Sequence, residues 1–209
     1  MTFKKIYAII YIEKFEKENN KVMNIKYYFV KLVAVGASMA AAIMIMCLPI
    51  AAAYKMVSYA VPDGDTSFKT YMGYQAITNT NSAQYKLQQE ATTDEHGLRQ
   101  VDDYYIVALG SFYAESIGDK FVVEFDTGIR IKVIVGDFKA DKHTDNTNRY
   151  IDIYDSNGNF ISHNVIEFIV DTATLDKTAK NWGDISAIDG FEGNISAIYK
   201  LEEIAYEKE

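Results

Sequence analysis

Three rhythms of apolar and polar residues run along the chain, and each predicts a different element. From Leu32 to Tyr54 the stretch LVAVGASMAAAIMIMCLPIAAAY carries no charge. Its 23 residues are apolar on every helical face and long enough, as a helix, to cross about 30 Å of hydrocarbon. They predict a transmembrane helix or the core of a signal peptide. Residues 55–101 hold no sustained period. They read as a connector with a turn at Pro62-Asp63-Gly64-Asp65 and one short helix over Ala83–Gln89, capped by Asn81 or Ser82.

From Asp103 onward the period becomes two. Tyr104–Leu109, Phe121–Phe125, Ile129–Val135 and Val165–Val170 are rich in Val, Ile, Phe and Tyr and predict strands, with a last one at Asn194–Leu201. Ile129, Ile131, Val133 and Val135 share one face, and Arg130 and Lys132 point the other way. Asp126-Thr127-Gly128 and Asp155-Ser156-Asn157-Gly158 predict hairpin turns. One helical rhythm interrupts the strands: Leu175, Ala179 and Trp182 recur at i, i+4 and i+7, Gly183 follows as a stop, and Asp171 or Thr172 is the expected N-cap. About six short strands with a helix predict a closed barrel, an arrangement that leaves no exposed edge. The expected fold class is thus mainly β, a six-stranded barrel over residues 102–205 with one or two short helices, preceded by the apolar N-terminal helix.

Charge sharpens the division. Seven lysines and three glutamates precede Leu32, a net of +4, whereas the chain as a whole carries −8. Everything after the apolar run therefore carries −12. The lysine bias places residues 1–31 in the cytoplasm and the remainder outside. Met23 opens a second basic start, MNIKYYFVK, and the small residues Ala51-Ala52-Ala53 offer a cleavage site, so both a retained anchor and export with cleavage after Ala53 fit. The acidic balance argues against nucleic-acid binding, which leaves a basic footprint. The one cysteine, Cys47, lies in the apolar run, so neither an internal disulfide nor a cysteine zinc site is available.

Three acidic residues stand out by position: Asp137 after Val135-Gly136, Glu167 inside an otherwise apolar run, and Asp171 at that run's end. A carboxyl group set among apolar neighbours loses hydration, which favours the protonated form and suits a general acid. On the alternative reading Glu167 faces solvent on an edge strand and Asp171 merely caps a helix. Tyr105 and Tyr113 are candidates to stack on sugar faces, or to pack. The insertion Lys139–Asn148 supplies His143 and Asp145 as polar candidates for substrate contact. With Asp137 and Asp141 these residues match no metal-binding spacing, so no metal and no cofactor is expected. No nucleophile elbow and no phosphate-binding glycine loop is present.

Ile117-Gly118-Asp119-Lys120, then Gly136-Asp137, then Val165-Ile166-Glu167-Phe168-Ile169-Val170-Asp171-Thr172, then Asn181-Trp182-Gly183, together and in order, resemble the three-aspartate (3D) domain. That family is a double-psi β-barrel of lytic transglycosylase A-type murein enzymes and Gram-positive cell-wall proteins. The resemblance covers residues 104–201 and matches Asp137, Glu167 and Asp171 to the three family aspartates. It implies Glu167 as catalytic acid, Asp137 and Asp171 in support, and peptidoglycan glycan strands as partner, with no cofactor. Two departures stand out. The second position is Glu, one methylene longer, and Phe138-Lys139-Ala140-Asp141 replaces the glycine turn that follows the first family aspartate. A barrel that binds wall glycan or a surface partner without cleaving it, including one carried by a phage or mobile element, is the alternative.

Overall fold

The computed structural model describes residues 54–203. The expected membrane or signal helix and the basic segment before it lie outside these residues, apart from Tyr54. In chain order the elements are β1 (Tyr54–Tyr59), β2 (Thr70–Gly73), α1 (Ala83–Glu90), β3 (Thr92–Thr93), β4 (Arg99–Val101), β5 (Tyr104–Leu109), β6 (Lys120–Phe125), β7 (Arg130–Phe138), β8 (Ile151–Tyr154), β9 (Phe160–Asn164), β10 (Glu167–Val170), α2 (Lys177–Trp182) and β11 (Ile195–Glu203). The fold is mainly β. One sheet runs β1-β11-β6-β7-β5-β10-β2, the β3–β4 hairpin joins it through β5, and β8–β9 form a separate ribbon. Two pairs are parallel, β5 with β7 and β2 with β10; the other ladders are antiparallel.

Alternation gives the sheet two apolar faces. Val107, Leu109, Phe121, Val123, Val133, Val135, Phe168 and Ile198 form the larger core, with Leu175, Ala179, Ile185 and Phe191. On the other face Tyr104, Ile106, Ile134 and Ile169 pack under Met72, Tyr74, Ile77, Leu87 and Ala91. The segment from β2 to the end of α1 therefore lies over the second face. Arg130 and Lys132 are exposed and Ile131, Val133 and Val135 buried, as the alternation of β7 requires.

The ladder runs from edge to edge as an open path. Side chains tie the approach to β2 to the start of β11 instead. Ile195 N–H donates to Thr66 Oγ1 at 2.8 Å and Thr66 N–H to Asn194 Oδ1 at 2.9 Å. Lys69 is fully buried, and its ammonium donates to the carbonyls of Ser67 and Gly193, each at 2.8 Å. It also stands 4.7 Å from the centre of the Phe125 ring.

Three local expectations change. Residues 55–101, read as a connector, contribute β1 to β4 and the cover over the second face. Of the two caps expected for α1, Ser82 serves, accepting from Tyr85 N–H. The cap of α2 is Asp176, which accepts from Thr178 and Ala179 N–H, and neither Asp171 nor Thr172 serves. Leu175 precedes the first helical residue, so the 3.6-residue rhythm does not connect it to Trp182. Leu175 and Ala179 are buried and Trp182 is 69% exposed. Gly183 ends α2 in the left-handed region at φ 70°, where a side chain would strain the backbone.

Candidate functional site

The site begins with one bulge. Ile106 pairs with Ile134 and Val107 with Val135, but Ala108 pairs with Asp137, so Gly136 is the extra residue. Strict alternation would send Asp137 to the face of Val133 and Val135. The bulge reverses the parity and puts Asp137 beside Ala108, with Phe138 packed on the larger core. From the other side of β5, Glu167 pairs with the same Ala108, and Thr70 pairs with Glu167. Directly paired residues share a face, so Thr70, Glu167, Ala108 and Asp137 form a row across β2, β10, β5 and β7. Two strand spacings put the Cα atoms of Asp137 and Glu167 about 10 Å apart.

Glu167 is held by a directed relay. Asn164 is 2% exposed, and its Nδ2 donates to Thr70 Oγ1 at 2.7 Å. Its Oδ1 accepts from Thr70 N–H at 3.2 Å, which fixes the amide orientation. The Thr70 hydroxyl, already accepting, donates to Glu167 Oε1 at 3.3 Å. Lys139 is buried next in line, its N–H donating to the Leu109 carbonyl at 2.9 Å. Among the described residues its ammonium has no hydrogen-bond partner. Burial pulls its pKa down to about 8, against the attraction of the Glu167 charge. Asp137 is half-buried and lines a cleft of about 280 Å³ with Met72, Ile77, Thr78, Ser82 and Gln84.

Asp171 stays apart from the row. It follows β10 beyond Ile169, and its Oδ1 accepts from Ala173 N–H at 3.0 Å and Gln75 Nε2 at 3.3 Å. Tyr105 lies on the opposite face, against Phe168 and Phe191 with ring centres at 6.3 and 5.1 Å. Tyr113 is buried, and its hydroxyl donates to the Ala60 carbonyl at 3.1 Å. Burial pushes that hydroxyl's pKa far up. His143 is exposed in a short turn. Asp145 staples its own loop, with Oδ1 accepting from Arg149 and Tyr150 N–H at 2.7 and 3.1 Å and Oδ2 from Thr147 N–H at 2.9 Å. Partial burial opposes its charge, but these donors outweigh it and hold the carboxyl below its usual range. Asp119, of the Gly118-Asp119 motif, is likewise structural. Its Oδ2 accepts from Glu115 and Ser116 N–H and meets Lys200 Nζ at 3.0 Å. Among the described residues no three acidic, His or Cys side chains cluster as a metal site.

Of the sequence candidates, then, the structure brings Asp137 and Glu167 together and leaves Asp171, Tyr105, Tyr113, His143 and Asp145 elsewhere. Thr70, Asn164 and Lys139 join the row without having been anticipated. Thr70 and Asn164 stand in stretches with no clean period, and Lys139 is one charge in a charged insertion.

Comparison with known proteins finds no family model that matches the chain, and no match among curated proteins or among solved structures.

Proposed function

We propose that residues 54–203 are a double-psi β-barrel of the three-aspartate type, held outside the cytoplasmic membrane by residues 32–54 or released after Ala53, and that they cleave peptidoglycan glycan as a lytic transglycosylase. The barrel reading is supported by the contiguous six strands β11-β6-β7-β5-β10-β2, by the two parallel pairs among them, and by the Thr66 and Lys69 ties between the approach to β2 and the start of β11. The observation that carries the activity is the pairing of Asp137 and Glu167 with one residue, Ala108, on one face. The carboxyl of Glu167 protonates the glycosidic oxygen between N-acetylmuramic acid and N-acetylglucosamine as the bond to C1 breaks. The resulting carboxylate then takes the proton of the muramic 6-hydroxyl, whose oxygen bonds to C1 and closes the anhydro ring. No water is consumed, so the second carboxylate required for hydrolysis is not needed. Asp137, negatively charged, stabilises positive charge developing on the sugar, and the Asn164–Thr70 relay orients Glu167.

The deciding experiment incubates the protein with purified sacculi and follows turbidity and anhydro-muropeptides. Release is expected from the native chain and abolished in Glu167→Gln; equal release from that variant removes Glu167 from the mechanism. A second reading, glycan binding without cleavage, draws on Phe138 and Lys139. They fill the place of the glycine turn that would let backbone approach the glycan. It gives co-sedimentation with sacculi and no anhydro product.

A further inference from the structure

A sugar ring set between Glu167 and Asp137 has to lie over Ala108, the residue with which both pair, and Ala108 is 1% exposed. In this conformation the row is covered. The cover is the chain that leaves β2. Past Gly73 a short 3-10 turn, Tyr74–Ala76, and a loop to Ser82 cross the face of the sheet that carries the row. Tyr74 and Ile77 pack there on Ile106, Ile134 and Ile169. Ile106 and Ile169 each stand two residues from the row, on the strands of Ala108 and Glu167. The cleft beside Asp137 shows the same arrangement from its other side. Apart from Asp137, every residue that lines it falls between Met72 and Gln84.

This stretch is held lightly. None of residues 74–82 is buried, so little apolar area returns to water when it lifts. Among the described residues one side-chain hydrogen bond joins it to the rest of the domain, an exposed one from Gln75 Nε2 to Asp171 Oδ1 at 3.3 Å. The bonds of Asn79, Asn81 and Ser82 stay within the stretch or cap α1. The Arg99 guanidinium, 4.6 Å from the centre of the Tyr74 ring, adds one more contact. The chain before Gly73 is the opposite case, with Thr66 and Lys69 buried and bonded to Ile195 and Gly193. A lightly held stretch beyond a firm anchor opens locally, well below the cost of global unfolding.

We infer that residues 74–82 are a strap over the carboxylate row, latched by Gln75 on Asp171, and that a glycan strand reaches Glu167 only when the strap lifts. Asp171 is thereby a latch and not a third acid of the reaction. Its carboxylate keeps Ala173 N–H as a second donor, so it stays oriented when Gln75 leaves. Open and closed strap are two states, and the latch biases them by the free energy of the bond it makes only in the closed one. The gating of a glycan rests on the proposed cleavage; the opening itself does not.

The opening is measured without turnover. In the full chain, with Cys47→Ser removing the native thiol, Ala108→Cys sets a thiol under the strap, and its rate of reaction with iodoacetamide is followed. Position 75 is then varied by charge. Gln75→Glu sets a second carboxylate against Asp171 and should speed labelling at least about threefold, the shift expected from losing one hydrogen bond. Gln75→Ala should fall between that variant and the native residue. Gln75→Lys, which faces the carboxylate with an ammonium, should label no faster than the native residue. Urea midpoints should not follow this order, because the latch is exposed and outside both cores. Equal labelling across the series, or labelling that tracks the urea midpoint, overturns the strap. Should Ala108→Cys prevent folding, the methyl resonances of Ile106, Ile134 and Ile169 read the same opening in the chain without it. They should move in Gln75→Glu and hold in Gln75→Lys, and no movement in the first overturns the strap as well. Faster labelling without cleavage of sacculi removes the proposed reaction and leaves the strap in place; cleavage with unchanged labelling does the reverse.

Discussion

A methyl group on Gly136 would overlap Cγ2 of Ile106 on the neighbouring strand. Leu87 of α1 lies just above, within contact of the same position. The bulge, the close seat of α1 and the facing of Asp137 therefore depend on one missing side chain. Gly136→Ala should destabilise the fold by about 1–3 kcal/mol, the usual cost of overpacking, and should lower muropeptide release as Asp137 is displaced. Urea unfolding and sacculus turbidity measure the two effects, and a variant as stable as the native chain would contradict the steric argument.

The relay from Asn164 through Thr70 to Glu167 makes a separate prediction. Thr70→Val removes the hydroxyl, leaving Asn164 Nδ2 buried without its acceptor at a cost of about 1–3 kcal/mol. It also frees Glu167 to rotate. Muropeptide release should fall in Thr70→Val and recover in Thr70→Ser, whose hydroxyl restores both bonds. Identical rates in all three would mean that the relay does not orient Glu167.

Stability should depend on pH in an alkaline window. Burial holds the pKa of Lys69 and of Lys139 near 8, against an ordinary value of 10.5. Below about pH 8 both lysines are protonated whether the chain is folded or unfolded. Between there and 10.5 the unfolded chain binds more protons, so stability rises with pH, on the order of 1 kcal/mol per pH unit for each lysine. Tyr113 acts in the opposite sense above pH 10, where its hydroxyl ionises in the unfolded chain while burial keeps it neutral in the folded one. Urea midpoints should therefore climb from pH 7.5 to about pH 10 and turn down only above about pH 11, once the unfolded lysines have also lost their protons. Lys139→Met should roughly halve the climb, and an unchanged slope would show that Lys139 is not the titrating group.

Asp145 and His143 share a loop but not a role. Asp145→Ala removes the acceptor for three backbone donors and should cost about 1–2 kcal/mol. His143→Ala, on the exposed turn, should stay within about 0.5 kcal/mol of the native chain. Thermal melts of both variants separate a structural staple from a solvated side chain, and a KM altered in Asp145→Ala without loss of stability would restore it as a substrate contact.

The sequence declares those elements whose burial follows a simple period. β5, β6, β7 and β11 lie where their apolar residues place them: β6 and the start of β7 alternate because one face there meets a core, whereas β5 shows as an unbroken apolar run because both of its faces do. β1 and β2 escape it: Tyr54–Tyr59 is a largely exposed edge, and all four residues of Thr70–Gly73 are half-buried, so neither shows contrast between its faces. The last helix misleads for a related reason, since a rhythm through Leu175 spans a turn as well as a helix. At the site, alternation alone sets Asp137 against Glu167 on opposite faces, and only the register around Gly136 reunites them. Lys139 is invisible to any pattern, because it follows the last residue of β7, where strand alternation no longer reports burial.

β1 and β11 run antiparallel with Tyr54 opposite Glu203, so the two ends of the described domain leave side by side. Tension applied between those ends loads the ladder one hydrogen bond at a time, peeling β1 away as a zipper opens instead of shearing all its bonds at once. A domain tethered at residue 54 and pulled from residue 203 would therefore yield first at this edge strand. The row of Thr70, Glu167, Ala108 and Asp137 lies on other strands and would still be assembled when β1 had gone.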